Sequence, residues 1–265
     1  MDLSIIIINY NTFSLTCQCV DSVIRFTEGL SYEIILVENG TGQFTEELVA
    51  QWGGIVRLIL SEKNLGFAGG NNLGIQLASG TYVLLLNSDV YLKANSILLL
   101  WEFMKANNEV GAASPRLIYP DGRHQSIAQR LPSLKYALIE KLRLQKLMPR
   151  RMAGRCLLGA FFDHAQTTEV DWVWAAFMIL PRKLIELLPQ NKLDDTYFMY
   201  WEDVQWCLDI RNLGYKIYFF AETEAVHIHQ GSNGKKSDYM RRNEELFMQR
   251  NYSRVTRFLL KILSA

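Results

Sequence analysis

The chain has 265 residues, 49% of them hydrophobic and 21% charged, enough for one large α/β domain or two small ones with an ordinary core. A formal net charge of +1 gives no argument for nucleic-acid binding. Four cysteines without paired metal spacing (Cys17, Cys19, Cys156, Cys207) argue against a disulfide or zinc framework and read as inert thiols of a reducing compartment.

Residues 3–8 form an isoleucine-rich run broken only by Ser4, the pattern of a strand buried on both faces. It ends at Asn9-Tyr10-Asn11, after which Ser14 is placed to cap a helix with Leu15, Cys19, Val23 and Ile24 on its apolar face. A second strand at 34–37 ends in Glu38-Asn39-Gly40; a short helix near 46–51 and a strand at 56–60 follow. Residues 64–72 read as a polar, glycine-rich loop before a short helix, and the apolar run 82–86 stops abruptly at Asn87-Ser88-Asp89. A further helix spans 94–106. Strand and helix therefore alternate to about residue 115, which predicts a Rossmann-like, mostly parallel sheet with right-handed crossovers. Three of its strands end in polar residues of one kind, and all three endings meet at the carboxyl edge, where open α/β sheets bind ligands.

Residues 116–170 are less regular, with a turn at Pro120-Asp121-Gly122. Residues 135–151 carry six Lys or Arg against Glu140 alone, threaded by leucines. This is either a solvated basic face or a surface for anionic lipid or a pyrophosphate-bearing acceptor. From residue 170 the chain turns aromatic, and Trp201-Glu202-Asp203 opens a helix. A strand at 217–220 precedes His227-Ile228-His229, and residues 239–263 read as one basic amphipathic helix.

Asp89 is the leading metal ligand, because a diphosphate is best neutralised by a hard cation such as Mg²⁺ or Mn²⁺. Asn87 is placed to orient a ribose or a metal-bound water. His227 or His229 completes the site; both face it if the strand continues, one if it ends between them. Glu202-Asp203 is the best source of a general base, since deprotonating a sugar hydroxyl needs a carboxylate within hydrogen-bond reach. Gly66, Gly69, Gly70 and Gly74 give neither G-x-G-x-x-G nor a P-loop, which counts against a nicotinamide dehydrogenase and a P-loop nucleotidase. The glycines instead suit close approach of the backbone to a nucleotide.

Several ordered motifs resemble the glycosyltransferase family 2 enzymes of GT-A fold, especially their rhamnosyltransferase-like branch. They are Ile7-Ile8-Asn9-Tyr10-Asn11, Val37-Glu38-Asn39, the segment from Asn64 to Gly74, Leu86-Asn87-Ser88-Asp89, the segment from Tyr197 to Asp203, and His227 with Gly231-Ser232. The resemblance implies inverting transfer of a sugar, rhamnose-like or another hexose, from a nucleotide-diphosphate donor to a hydroxyl of a glycan or lipid-linked acceptor in cell-surface polysaccharide synthesis. It makes Asp203 the base with Glu202 beside it, and Asp89 and His227 the divalent-metal ligands. Asn9, Tyr10, Asn11, Glu38, Asn39, Asn64, Gly66, Asn71, Asn72, Asn87 and Ser88 would line the donor. Residues 1–235 form the GT-A domain, divided near 115 into donor and acceptor halves, and residues 236–265 a helical segment.

Three positions depart from the family pattern: Asn87 for the first metal-motif acid, Glu38 for aspartate, and Ala175-Ala176 for a Gly-Ala pair. The alternatives are a non-catalytic sugar-nucleotide-binding protein and a sugar-1-phosphate nucleotidyltransferase. The latter needs a basic glycine-rich loop after the first strand, where this chain has Asn9-Tyr10-Asn11. No basic segment precedes residues 3–8, and Asn87, Asp89 and Lys93 interrupt the best membrane-span candidate. The expectation is a cytoplasmic protein, with peripheral contact at the inner membrane face left open.

Overall fold

The computed structural model describes residues 1–229 and 236–264. β1 (Leu3–Asn9), α1 (Phe13–Phe26), β2 (Tyr32–Asn39), α2 (Glu46–Val49), β3 (Val56–Ser61), α3 (Gly66–Ile75) and β4 (Tyr82–Asn87) succeed one another as the alternation predicts. β1 pairs in parallel with β2 and β4, and β2 with β3. Leu3, Ile5, Ile6 and Ile7 of β1 are fully buried, as a strand covered on both faces requires.

After these come β5 (Val90–Tyr91), α4 (Ser96–Ala106), β6 (Val110–Ile118), α5 (Leu134–Lys141), α6 (Arg150–Leu157), β7 (Thr168–Val170) and β8 (Phe177–Pro181). The chain closes with α7 (Arg182–Ile185), α8 (Glu202–Asn212), β9 (Lys216–His227), α9 (Lys236–Asn251) and α10 (Arg254–Ser264). β8 enters antiparallel between β4 and β6, so the parallel run stops at β4. β9 is parallel to β6 and antiparallel to β5 and β7, giving the order β3-β2-β1-β4-β8-β6-β9-β5 with β7 on β9. Phe177, Met178, Ile179 and Leu180 of β8 are buried, and this second apolar strand carries the core from the parallel half into the mixed half.

Three local expectations need correcting. Helix α1 begins at Phe13 after Thr12, so Ser14 lies inside its first turn rather than capping it. The tail is two helices, broken at Tyr252-Ser253, where the Ser253 hydroxyl accepts the Thr256 N–H and starts α10. The glycine-rich segment is a loop only to Leu65; from Gly66 it is helix α3. Its glycines serve packing against the sheet. A Cβ on Gly74 would stand 2.6 Å from Ile6 Cγ2, and one on Gly70 would stand 2.9 Å from Ile8 Cδ1. At Gly66 (φ +74°), a side chain would strike the Phe198 carbonyl.

Adding a methyl at Gly74 sets about 1 kcal/mol of helix propensity against about 1–3 kcal/mol of overpacking against a branched, fully buried neighbour. Gly74→Ala is expected to lower stability by up to about 2 kcal/mol in urea unfolding. Gly70→Ala, whose tightest contact would be the Ile8 Cδ1 end at 2.9 Å, should change it by less.

Candidate functional site

At the carboxyl edge of β1 and β2 the polar residues first satisfy one another. Asn9 Nδ2 donates to Glu38 Oε2 at 2.8 Å and to Gln43 Oε1 at 3.0 Å, and its Oδ1 accepts the Thr16 hydroxyl at 2.9 Å. The Glu38 carboxylate also accepts the Thr41 and Phe44 N–H groups and the Thr41 hydroxyl, fixing the turn after β2. Asn39 Nδ2 donates to Asn64 Oδ1 and to the Gly66 carbonyl, while its Oδ1 accepts the Leu65 N–H. Asn64 Oδ1 takes the Gly66 N–H as well, so the two asparagines hold the entry to α3. Asn72 clamps both backbone groups of Leu193, and Asn71 donates to the Phe67 carbonyl. Asn9, Glu38, Asn39, Asn71 and Asn72 are therefore buried framework. Their amides and carboxylate are spent on backbone and on each other, because buried polar atoms are costly unless paired. Tyr10 and Asn11 (φ 57°) are the exposed residues on this rim, and Ser88 is tied to it through the Thr12 hydroxyl at 2.9 Å.

Beyond β4 the geometry changes character. Val90 pairs with His227, and the Ile228 N–H donates to the Asp89 carbonyl, which brings β5 and the end of β9 together. His227 Nε2 stands 3.3 Å from Asp89 Oδ1. The other ring nitrogen, Nδ1, lies 2.7 Å from Gln125 Oε1. Gln125 Nε2 donates to the His227 carbonyl at 2.7 Å, and a carbonyl can only accept, so the amide orientation is fixed. Oε1 must then accept from Nδ1–H, which turns Nε2 toward the Asp89 carboxylate. An imidazole nitrogen beside a carboxylate oxygen could hold a divalent cation. Asn87 adds a buried Oδ1 with no hydrogen-bond partner. Among the described residues no group of three or more His, Cys, Asp or Glu assembles for a metal.

The strand β9 ends at His227, yet the His227 and His229 rings stay together edge-to-face at 5.3 Å. His229 (φ 55°) lies with its ring stacked on Trp174 at 5.5 Å, while Trp174 meets His227 edge-on at 6.3 Å. Gly231 and Ser232 lie outside the described residues.

The segment 174–176 joins this pair to the acids of α8. The Asn87 N–H donates to the Ala176 carbonyl, and the Ala175 N–H donates to Asp203 Oδ2 at 3.4 Å. A backbone N–H makes the Asp203 contact, so alanine in place of glycine at 175 keeps it. Burial raises the Asp203 carboxyl to about 6, against the lowering effect of the Val204 and Ala175 N–H groups. Burial, with the neighbouring Asp203 charge, pushes the Glu202 carboxyl well up from its ordinary range toward the neutral acid, and its Oε2 is buried without a hydrogen-bond partner. Tyr200 and Trp201 approach α8 in left-handed conformation (φ 68° and 74°), an uncommon state for bulky residues. Asn243 of α9 supports the turn by donating to the Met199 and Tyr200 carbonyls, and Trp201 packs on Phe247. Sequence reasoning missed Gln125 and Asn243. Each acts across the fold, 102 and 43 residues from its carbonyl partner, and neither carries a local signature.

The family model for glycosyl transferase family 2 matches residues 4–164, and the chain belongs to that family. The low-salt glycan biosynthesis hexosyltransferase Agl10 of Haloferax volcanii is 25% identical over 232 residues, 85% of this chain and 67% of that protein. The rhamnosyltransferase WbbL of Escherichia coli is 23% identical over 208 residues, 74% of this chain and 72% of that protein. An uncharacterized glycosyltransferase of Rickettsia bellii is 34% identical over 107 residues, 40% of this chain but 15% of that protein. The fold is that of GT-A glycosyltransferases. The structure of GalNAc-T7 with UDP, GalNAc and Mn²⁺ matches with a TM-score of 0.66 at 17% identity, over 88% of this chain and 45% of that one. S. aureus TarS 1–349 matches with a TM-score of 0.58 at 14% identity, over 86% of this chain and 60% of that one.

A carboxyl raised from 3.8 to about 6 keeps its proton in the folded chain over a range where the unfolded chain has lost it. Stability from this group is full below about pH 4, falls between about pH 4 and 6, and is lost above. Asp203→Asn is accordingly expected to stabilise the protein by about 1–2 kcal/mol at neutral pH. In urea titrations at several pH values, that gain should vanish as the pH falls below about 4.

Proposed function

We propose that the chain is a metal-dependent, inverting glycosyltransferase, acting on the cytoplasmic side in the synthesis of a cell-surface polysaccharide. It would take a hexose, rhamnose or a relative, from a nucleotide diphosphate and pass it to a hydroxyl of a glycan or lipid-linked acceptor. The observation that carries this reading is the backbone bridge 174–176, which ties Asn87, two residues before the Asp89–His227 pair, to Asp203. Inversion needs that layout: a base on one side of the anomeric carbon and a stabilised leaving group on the other.

Asp203 takes the proton from the acceptor hydroxyl as its oxygen attacks. With a carboxyl near 6 it is ionised at neutral pH yet more basic than an exposed aspartate. Burial and Asp203 favour the protonated form of Glu202 beside it, which keeps a second negative charge away from the entering oxygen. Asp89 and His227 would hold Mg²⁺ or Mn²⁺, which when bound supplies Lewis-acid neutralisation of the departing diphosphate. Gln125 keeps His227 Nε2 turned toward Asp89. Tyr10, Asn11 and Ser88 rim the nucleotide side, and Asn87 Oδ1 meets the ribose or a metal-bound water. The buried asparagines and Glu38 hold the backbone that shapes the donor pocket.

A panel of dTDP-, UDP- and GDP-sugars with Mn²⁺ or Mg²⁺, read by thermal shift and release of nucleoside diphosphate, tests the reading. Asp203→Asn is expected to cut transfer by about 10²–10⁴-fold while leaving donor binding in place. The rate should decline as pH drops through about 6. Asp89→Ala and Gln125→Leu should weaken calorimetric Mn²⁺ binding in the presence of UDP, Gln125→Leu by about 10–100-fold. Full transfer by Asp203→Asn would remove the base assignment, and unchanged Mn²⁺ binding by Asp89→Ala would remove the metal assignment.

A further inference from the structure

Two amphipathic segments more than a hundred residues apart meet outside the catalytic region. α10 packs along α5 with Leu260 buried, and an open groove of ≈ 610 Å³ between them is lined by Tyr136, Lys141, Arg143 and Leu263 among others. Residues 134–157 and 254–264 together hold ten of the 28 Lys and Arg and one of the 27 Asp and Glu, in a chain of net charge +1. The remainder of the molecule is therefore net acidic, and the positive charge is concentrated here.

The same elements expose large apolar side chains. Val255, Phe258 and Ile262 recur at three- and four-residue spacing on α10 and remain 68%, 65% and 51% exposed. Leu142 and Leu147, after α5, are 58% and 84% exposed. Arg254, Arg257 and Lys261 flank the α10 stripe. A monomeric soluble protein rarely leaves a contiguous apolar patch uncovered without a use for it. Apolar residues at helical spacing beside a cationic face are the pattern of a helix lying in a membrane interface. Charge decides between occupants. A second copy would set ten cations against ten, whereas anionic headgroups neutralise them and admit the apolar side chains beneath.

We propose that α5, the segment running on to residue 157, and α10 form one docking surface for an anionic lipid bilayer. The surface holds whether or not the chain transfers sugar. Placed there, an acceptor anchored in the bilayer meets the enzyme in two dimensions. The route inward is short: the Trp172 indole donates to the Arg130 carbonyl at the groove wall, and Trp174 stands two residues on at the catalytic edge.

The whole chain would be sedimented with vesicles of phosphatidylcholine alone or mixed with phosphatidylglycerol, at low and high salt. Binding is expected to the mixed vesicles only and to weaken with salt. It should fall about tenfold or more for the triple variant Lys141→Gln, Arg143→Gln, Lys146→Gln, and for the double variant Phe258→Ser, Ile262→Ser. Circular dichroism melts check that both variants fold; the triple variant changes only exposed side chains and decides the matter if the double variant does not. No binding at low salt, equal binding to both vesicle types, or full binding by the triple variant would overturn the proposal. So would a dimer in light scattering that Phe258→Ser, Ile262→Ser dissociates, since a second copy would then cover the face.

Discussion

The hydrogen bond from the Asn87 N–H to the Ala176 carbonyl is where early and late parts of the chain become one site. It exists because β8 lies antiparallel to β4, so that the residues preceding β8 pass over the carboxyl end of β4. Had β6 followed β4 in parallel, as simple alternation continues, its amino-terminal end would lie at the opposite edge. The segment 174–176 then brings Trp174 to the histidines and the Ala175 N–H to Asp203. One antiparallel strand thus positions residues drawn from three distant stretches.

The asparagines divide by what surrounds them. Asn9, Asn39 and Asn72 each bond at both ends of the amide within the protein, and Asn64 accepts twice through its Oδ1. They fix loops that a sequence reader places directly on the ligand. Asn87 differs in leaving a buried oxygen unpaired two residues from Asp89. A framework amide and a ligand amide look alike in sequence, and only the hydrogen-bond count separates them.

Much of the parallel half was legible because fully buried strands advertise themselves as apolar runs with polar endings. Residues 3–8, 34–37 and 82–86 fall within β1, β2 and β4, and the polar ending of β4 leads to Asp89. The carboxylate pair was legible as adjacent acids opening a helix, and α8 begins at Glu202. What failed was long-range or two-sided. The glycines of α3 read as a nucleotide loop because their neighbours Ile6 and Ile8 lie across space, not along the chain. The antiparallel entry of β8 leaves no mark in its own apolar composition. Gln125 is an ordinary glutamine until His227 folds against it.

The two carbonyls held by Asn243 have a bearing on synthesis. The parallel ladders β3-β2-β1-β4 pair among residues 3–87 and can form while most of the chain is still being made, whereas the other edge of β4 waits for β8. The left-handed turn that leads to Asp203 takes the two hydrogen bonds of Asn243 from α9, late in the chain. A nascent chain therefore forms the parallel ladders before the turn into α8 is braced, and a chain cut before residue 243 loses the bonds to the Met199 and Tyr200 carbonyls.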